Sequence, residues 1–140
     1  GKLSDLMRRK GVEASHGFNE VPTIFLNTHP VEFENDDEWD WVSRLREMSP
    51  GQKIVVEIHE GAGTDVIGVS RFRALLRDYE IELAFDDFGV GQARIAELAS
   101  IRPEYVKFDR SLISGLDLTS STHRRFVHSL VEAIRDIGVT

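Results

Sequence analysis

Two adjacent carboxylates, Asp86 and Asp87, stand where the apolar run Leu83-Ala84-Phe85 stops and a turn containing Gly89 and Gly91 begins. Burying an unpaired carboxylate costs several kcal/mol, so this pair points to a solvent-filled mouth or a bound cation. A strand-to-helix turn, with Asp as N-cap and Gly at positive φ, accounts for the same residues without a ligand. Other strand-like runs also carry polar residues at or near their ends. Asn27 closes Thr23-Ile24-Phe25-Leu26, Glu57 sits in Ile54-Val55-Val56-Glu57-Ile58 with His59 and Glu60 beyond, and Lys107 lies within Glu104 to Asp109. The acids and the lysine have plain structural explanations: Glu57 and Glu60 as arginine partners, Lys107 as a snorkelling edge lysine. Together they offer an amide oxygen, carboxylates and a lysine, and such oxygens are the hard ligands that Mg²⁺ or Mn²⁺ prefers.

These residues need elements that bring them to one place. Residues 2 to 10 have Leu3, Leu6 and Met7 at helical spacing and a cationic end, which predicts a short helix stopped at Gly11. A strand over Thr23 to Asn27 follows, and Pro30 then blocks regular pairing. The acids Glu34, Asp36, Asp37, Glu38 and Asp40 resemble a cation site. They fit better as the solvated first turn of a helix that continues through Trp39, Val42 and Leu45 towards Pro50-Gly51. Along the next strand Glu57 and His59 share a face, while Glu60 can turn towards a neighbouring loop. Asp65 to Tyr79 reads as a helix with Val66, Val69, Phe72, Leu76 and Tyr79 on one stripe and Arg71, Arg73 and Arg77 largely off it. After the strand ending in Asp86, a short helix over Ala93 to Ser100 carries Ile95, Ala96 and Leu98. Then comes the strand in which Lys107 and Asp109 share a face. Ser120 or Ser121 caps a last helix through Ile137 with Phe126, Leu130, Val131 and Ile134 apolar, and Gly138 stops it.

Strand-end polar residues at Asn27, Glu57, Asp86 and Lys107, mostly with an amphipathic helix between neighbours, describe repeated βα units. Right-handed crossovers of that length predict a parallel sheet covered by helices, with all four residues on the rim at the carboxyl ends of the strands.

Composition narrows the chemistry. The 140 residues suit one domain, and 41% hydrophobic residues suffice for a core. A net charge of -7 argues against a broad basic surface for duplex nucleic acid. With no cysteine there is no disulfide and no thiolate zinc site. No apolar run approaches the roughly 20 residues that span a bilayer, so a soluble, cytoplasmic chain without membrane contact is expected.

Asp86-Asp87-Phe88-Gly89-Val90-Gly91 and Tyr105-Val106-Lys107-Phe108-Asp109-Arg110-Ser111 resemble the Asp-Asp-Phe-Gly-Thr-Gly and Lys-Ile-Asp-Arg-Ser segments of EAL domains, which are bacterial cyclic-di-GMP phosphodiesterases. Glu57-Ile58-His59-Glu60 is similar to the family's Glu-x-Thr-Glu strand end, and Asn27-Thr28-His29-Pro30 to its Asn-x-Ser or Asn-x-His-Pro strand end. The resemblance implies a (β/α)₈ TIM-type barrel that binds two Mg²⁺ or Mn²⁺ ions and linearises cyclic-di-GMP to pGpG. By motif, Asn27, Glu57 and Asp86 correspond to ligands of the first metal, with Asp86 bridging and Asp87 serving the second. Glu60 corresponds to the anchor of the loop after the aspartates, and Lys107 to the residue that holds the attacking water or a phosphate oxygen.

The chain departs from the family pattern too. The Glu-Ala-Leu motif and a later strand-end Glu are absent, His59 stands where Thr is usual, Val90 replaces another usual Thr, and Gln92-Ala93 replace Tyr-Ser. A full barrel needs about 250 residues, so the expectation for 1–140 is a single partial EAL domain: an α/β partial barrel of about four parallel strands with flanking helices, its first and last strands missing. Exposed strand edges then predict a homodimer or other self-association. The functional expectation is part of a phosphodiesterase domain that is inactive alone. The rival readings are an inactive cyclic-di-GMP receptor or protein-interaction module, and an unrelated parallel α/β metal-binding protein.

Overall fold

Four short runs rich in Ile, Val, Leu and Phe form the strands β1 (Ile24–Asn27), β2 (Ile54–His59), β3 (Glu82–Phe88) and β4 (Tyr105–Phe108). They pair in parallel in the order β1-β2-β3-β4, as repeated βα units require. The computed structural model describes residues 2–15, 22–28, 32, 39–59, 66–89, 95–110 and 120–139. Among the described residues the helices are α1 (Lys2–Ser15), α2 (Asp40–Met48), α3 (Val66–Asp78), α4 (Ile95–Ile101) and α5 (Ser121–Asp136). The α/β class and the four parallel strands with flanking helices are therefore as the sequence predicts. None of these helices is long and apolar enough to cross a membrane.

One face of the sheet makes the core. Leu26, Ile54, Val56, Ile58, Leu83 and Phe85 alternate outward along their strands and pack with Val42, Leu45, Val69, Phe72, Leu76 and Leu98 from the helices. Val55 and Ala84 are fully buried but stand apart from that cluster, on the opposite face. There Phe25 of β1 meets Tyr105 of β4 edge to face, with ring centroids 5.7 Å apart. Three strand spacings of about 4.8 Å would hold those residues some 14 Å apart in a flat sheet. The sheet therefore curls, and its concave face carries Phe25, Asn27, Glu57, Ala84, Asp86 and Lys107.

Several local expectations need correction. The first helix does not stop at Gly11 but runs on to Ser15. Val12, fully buried, lies beyond that glycine, and burying it outweighs the roughly 1 kcal/mol that glycine costs a helix. Arg73 is not off the apolar stripe of α3: it is buried and ion-paired with Glu104, which also accepts the Leu83 N–H at 2.9 Å. In α4 the buried residues are Leu98 and Ile101, whereas Ile95 is exposed. Phe126, placed on the apolar side of α5, is also exposed, and Leu130 and Ile134 make that helix's contacts with the core. Asp40 opens α2 as expected, but Glu34, Asp36, Asp37 and Glu38 lie outside the described residues.

Candidate functional site

Glu57 is the buried centre of the concave rim, 3% exposed. Its backbone carbonyl accepts hydrogen bonds from both the N–H (2.9 Å) and the hydroxyl (2.7 Å) of Thr28, which fixes the strand end next to β1. Lys107 of β4 donates from Nζ to Glu57 Oε1 at 2.9 Å and lies 3.4 Å from Asp86 Oδ1. Burial alone would lower the pKa of that ammonium. The hydrogen bond to Glu57 and the charges of Glu57 and Asp86 outweigh it, so the net shift is upward. Lys107 is a bridging cation and not the snorkelling edge lysine of the plain reading.

A strand alternates its side chains, so two consecutive aspartates should point to opposite faces. A bulge prevents that. Phe85 pairs with Val106 and Phe88 with Phe108, so two residues of β3, Asp86 and Asp87, oppose the single Lys107 of β4. Asp87 takes the extra position with φ of 56°. Its N–H donates to Asp86 Oδ1 at 3.1 Å and its Oδ2 lies 2.7 Å from His59 Nε2. Both carboxylates therefore reach the rim, half-buried, while Phe88 returns to the core. Asn27 lies in register with Glu57 and its side chain is exposed on the same rim.

Glu57 Oε1 and Asp86 Oδ1 both turn towards one cationic atom, the Lys107 ammonium, which stands in for a cation at this place. With the amide of Asn27 beside Glu57 and the carboxylate of Asp87 beside Asp86, the donors are hard oxygens suited to a divalent ion. Among the described residues no three His, Cys, Asp or Glu side chains already form a closed metal-binding group. Glu60, expected to anchor a loop, lies outside the described residues. The structure thus brings together Glu57, Asp86, Asp87 and Lys107 and sets Asn27 alongside. The sequence reading missed roles for His59 and Thr28. The period-two alignment of His59 with Glu57 was the signal for the first; nothing in the sequence marks the second.

The EAL domain family model matches residues 1–140. Among solved structures, the chain is similar to the PaMucR phosphodiesterase in its c-di-GMP complex, at 18% identity and a TM-score of 0.82, over 99% of this chain and 63% of that one. It is also similar to Klebsiella pneumoniae BlrP1 in a manganese and cyclic-di-GMP complex, at 23% identity and a TM-score of 0.77, over 99% of this chain and 36% of that one. The EAL domain of Mycobacterium smegmatis DcpA matches at 19% identity and a TM-score of 0.78, over 96% of this chain and 62% of that one. The chain therefore spans less than two thirds of each of these relatives.

Proposed function

This chain belongs to the EAL domain family, and from that premise we propose that its rim is part of a metal-dependent phosphodiesterase site that hydrolyses cyclic-di-GMP to pGpG. The observation that carries the reading is Lys107 Nζ between Glu57 Oε1 and Asp86 Oδ1, three side chains from three strands converging at one rim. The relatives solved in complex with cyclic-di-GMP, one of them with manganese, support the substrate and the class of ion.

In this reading Asn27, Glu57, Asp86 and Asp87 hold two Mg²⁺ or Mn²⁺ ions. The ions, when bound, supply an activated water and charge for the phosphoryl oxygens. Lys107 contributes a fixed ammonium where negative charge develops on the phosphate, and it is preorganised by the carboxylates that already hold it. Thr28 keeps Glu57 from withdrawing from the rim, since its two hydrogen bonds tie the Glu57 carbonyl to β1. The bulge at Asp87 supplies a second carboxylate without moving Phe88 out of the core. We place the four strands in half of an eight-stranded barrel, with Glu60 as loop anchor, self-association through strand edges, and a cytoplasmic setting.

Chromatographic assay of pGpG formation with Mn²⁺ tests this, using the chain itself and a longer form that carries eight strands. Turnover in the longer form that disappears with Asp86→Asn is the expected result. Binding of cyclic-di-GMP without turnover in either form would make the protein a receptor and overturn the hydrolytic reading.

A further inference from the structure

Burial along β2 stops at its last residue. Ile54 to Ile58 are buried, and His59 is the first exposed side chain of the strand. Alternation puts His59 on the same face as Glu57, and pairing with β3 sets it level with Asp86. The strand thus delivers an imidazole to the open part of the rim.

The bulge in β3 brings a carboxylate to meet it. Asp87, with φ of 56°, places Oδ2 2.7 Å from His59 Nε2. A carboxylate only accepts, so the hydrogen between them sits on Nε2 and points at Oδ2. A nitrogen and an oxygen turned towards one point in this way resemble two neighbouring corners of a metal's coordination shell. Ligands about 2.1 Å from an octahedral ion lie about 3 Å from each other, so a small opening of the pair admits an ion in place of that hydrogen. Neutral imidazole is the form that ligates metals. The His59 side chain is 52% exposed and that of Asp87 40%, so an ion reaches both donor atoms from solvent and keeps waters in the rest of its shell. Asp86 stands beside the pair, level with His59 and accepting the Asp87 N–H through Oδ1.

An imidazole changes which ion such a corner favours. Mg²⁺ takes oxygen ligands and gives up its waters reluctantly, whereas nitrogen donors suit transition ions. A ring that only oriented Asp87 would strengthen the binding of every ion held by that carboxylate, without discriminating among them.

Resting on the metal-dependent reading of the rim, we infer that His59 Nε2 and Asp87 Oδ2 together ligate one divalent ion, which gives the rim a preference for Mn²⁺ or Zn²⁺ over Mg²⁺.

Pulsed electron paramagnetic resonance of the chain loaded with Mn²⁺, prepared with ordinary and with isotope-labelled histidine nitrogen, tests this. The expected result is modulation from a directly bound nitrogen that changes with the histidine label and disappears in His59→Phe. Phenylalanine keeps a planar ring at an exposed position and removes both nitrogens, and the labelled parent chain gives the nitrogen signal without any substitution. In equilibrium dialysis His59→Phe should lower Mn²⁺ affinity about tenfold or more, since losing even an outer partner of a metal ligand costs that much, and should lower Mg²⁺ affinity by less. Bound Mn²⁺ without histidine coupling, coupling that survives in His59→Phe, or an equal loss for both ions would overturn the inference while leaving ion binding at the rim intact. No Mn²⁺ bound by the chain would overturn it as well, and the pGpG assay of the longer form decides the metal-dependent reading separately.

Discussion

Lys107 on β4 reaches across an entire strand to Glu57 on β2, Nζ to Oε1 2.9 Å, and the β3 residue level with Glu57 on that face is Ala84. Ala84 pairs with Glu57 on one side and with Tyr105 on the other, and it is fully buried on the concave face. A methyl group there leaves the lysine a path. Ala84→Leu should overpack this layer, costing about 1–3 kcal/mol in urea unfolding, and should separate Lys107 from Glu57. A double-mutant cycle reads the separation: Lys107→Met and Glu57→Gln should couple in the native background and act independently beside Leu at position 84.

Asp87 holds a left-handed backbone conformation, φ 56°, that costs a residue with a side chain about 1–2 kcal/mol relative to glycine. Its contact with His59 is about half exposed, and such pairs contribute about 0–1 kcal/mol. Asp87→Gly should therefore leave the melting temperature unchanged or higher while reducing the proposed turnover of the longer, eight-stranded form, and Asp87→Val should lower the melting temperature. A drop in melting temperature for Asp87→Gly would mean that the side chain, and not the bulge, holds this turn.

Asp86→Asn keeps shape and removes charge at a position shared by Lys107 and the Asp87 N–H. In the longer, eight-stranded form the proposed turnover of cyclic-di-GMP should disappear and Mn²⁺ affinity should fall, with stability changed by less than about 1 kcal/mol, because the side chain is only half-buried. Manganese titration alongside thermal unfolding separates loss of the ion from loss of the fold. Normal activity in this variant would remove Asp86 from the site.

The strands and the rim were legible because parallel strands buried on both faces read as apolar runs, and Asn27, Glu57, Asp86 and Lys107 interrupt those runs. The bulge was not legible: alternation is a property of regular pairing, and the register shift after Phe85 depends on Phe88 finding the core. Arg73 was misplaced for a similar reason. Helical spacing sets it at the margin of the α3 stripe, and only its partner, Glu104 just before β4, explains its burial. Arg8 carries no local signal at all, since its partner Glu32 and its stacking partner Trp41 are far along the chain.

Arg73 is held deep against the sheet, and burial lowers its pKa to about 10, with the neighbouring Arg77 acting in the same direction. Glu104 offsets that charge and at the same time accepts the Leu83 N–H, while its own N–H donates to the Leu83 carbonyl at 2.9 Å. Glu104→Ala strips a buried cation of its partner, a change that typically costs about 3–5 kcal/mol. Urea unfolding should show a loss of that size. Restoring stability with the additional change Arg73→Met would identify the uncompensated charge as the cause, because a hydrophobic replacement of similar volume removes the penalty with the charge.

Gly11 lies inside α1, and nothing about its surroundings requires glycine. A Cβ built there meets Leu26 Cδ2 at 3.6 Å, an ordinary van der Waals contact, and its φ does not fall in the left-handed region. Helix propensity favours alanine over glycine by about 1 kcal/mol, and the added methyl extends the packing of α1 on β1. Gly11→Ala should therefore stabilise the chain by about 0.5–1 kcal/mol, seen as a higher melting temperature with an unchanged denaturant slope. Because the Asn27 carbonyl is held by Arg8 on this same helix, the variant should also slow hydrogen exchange in β1. A destabilised variant would mean that α1 and β1 need a closer approach than the 3.6 Å contact implies.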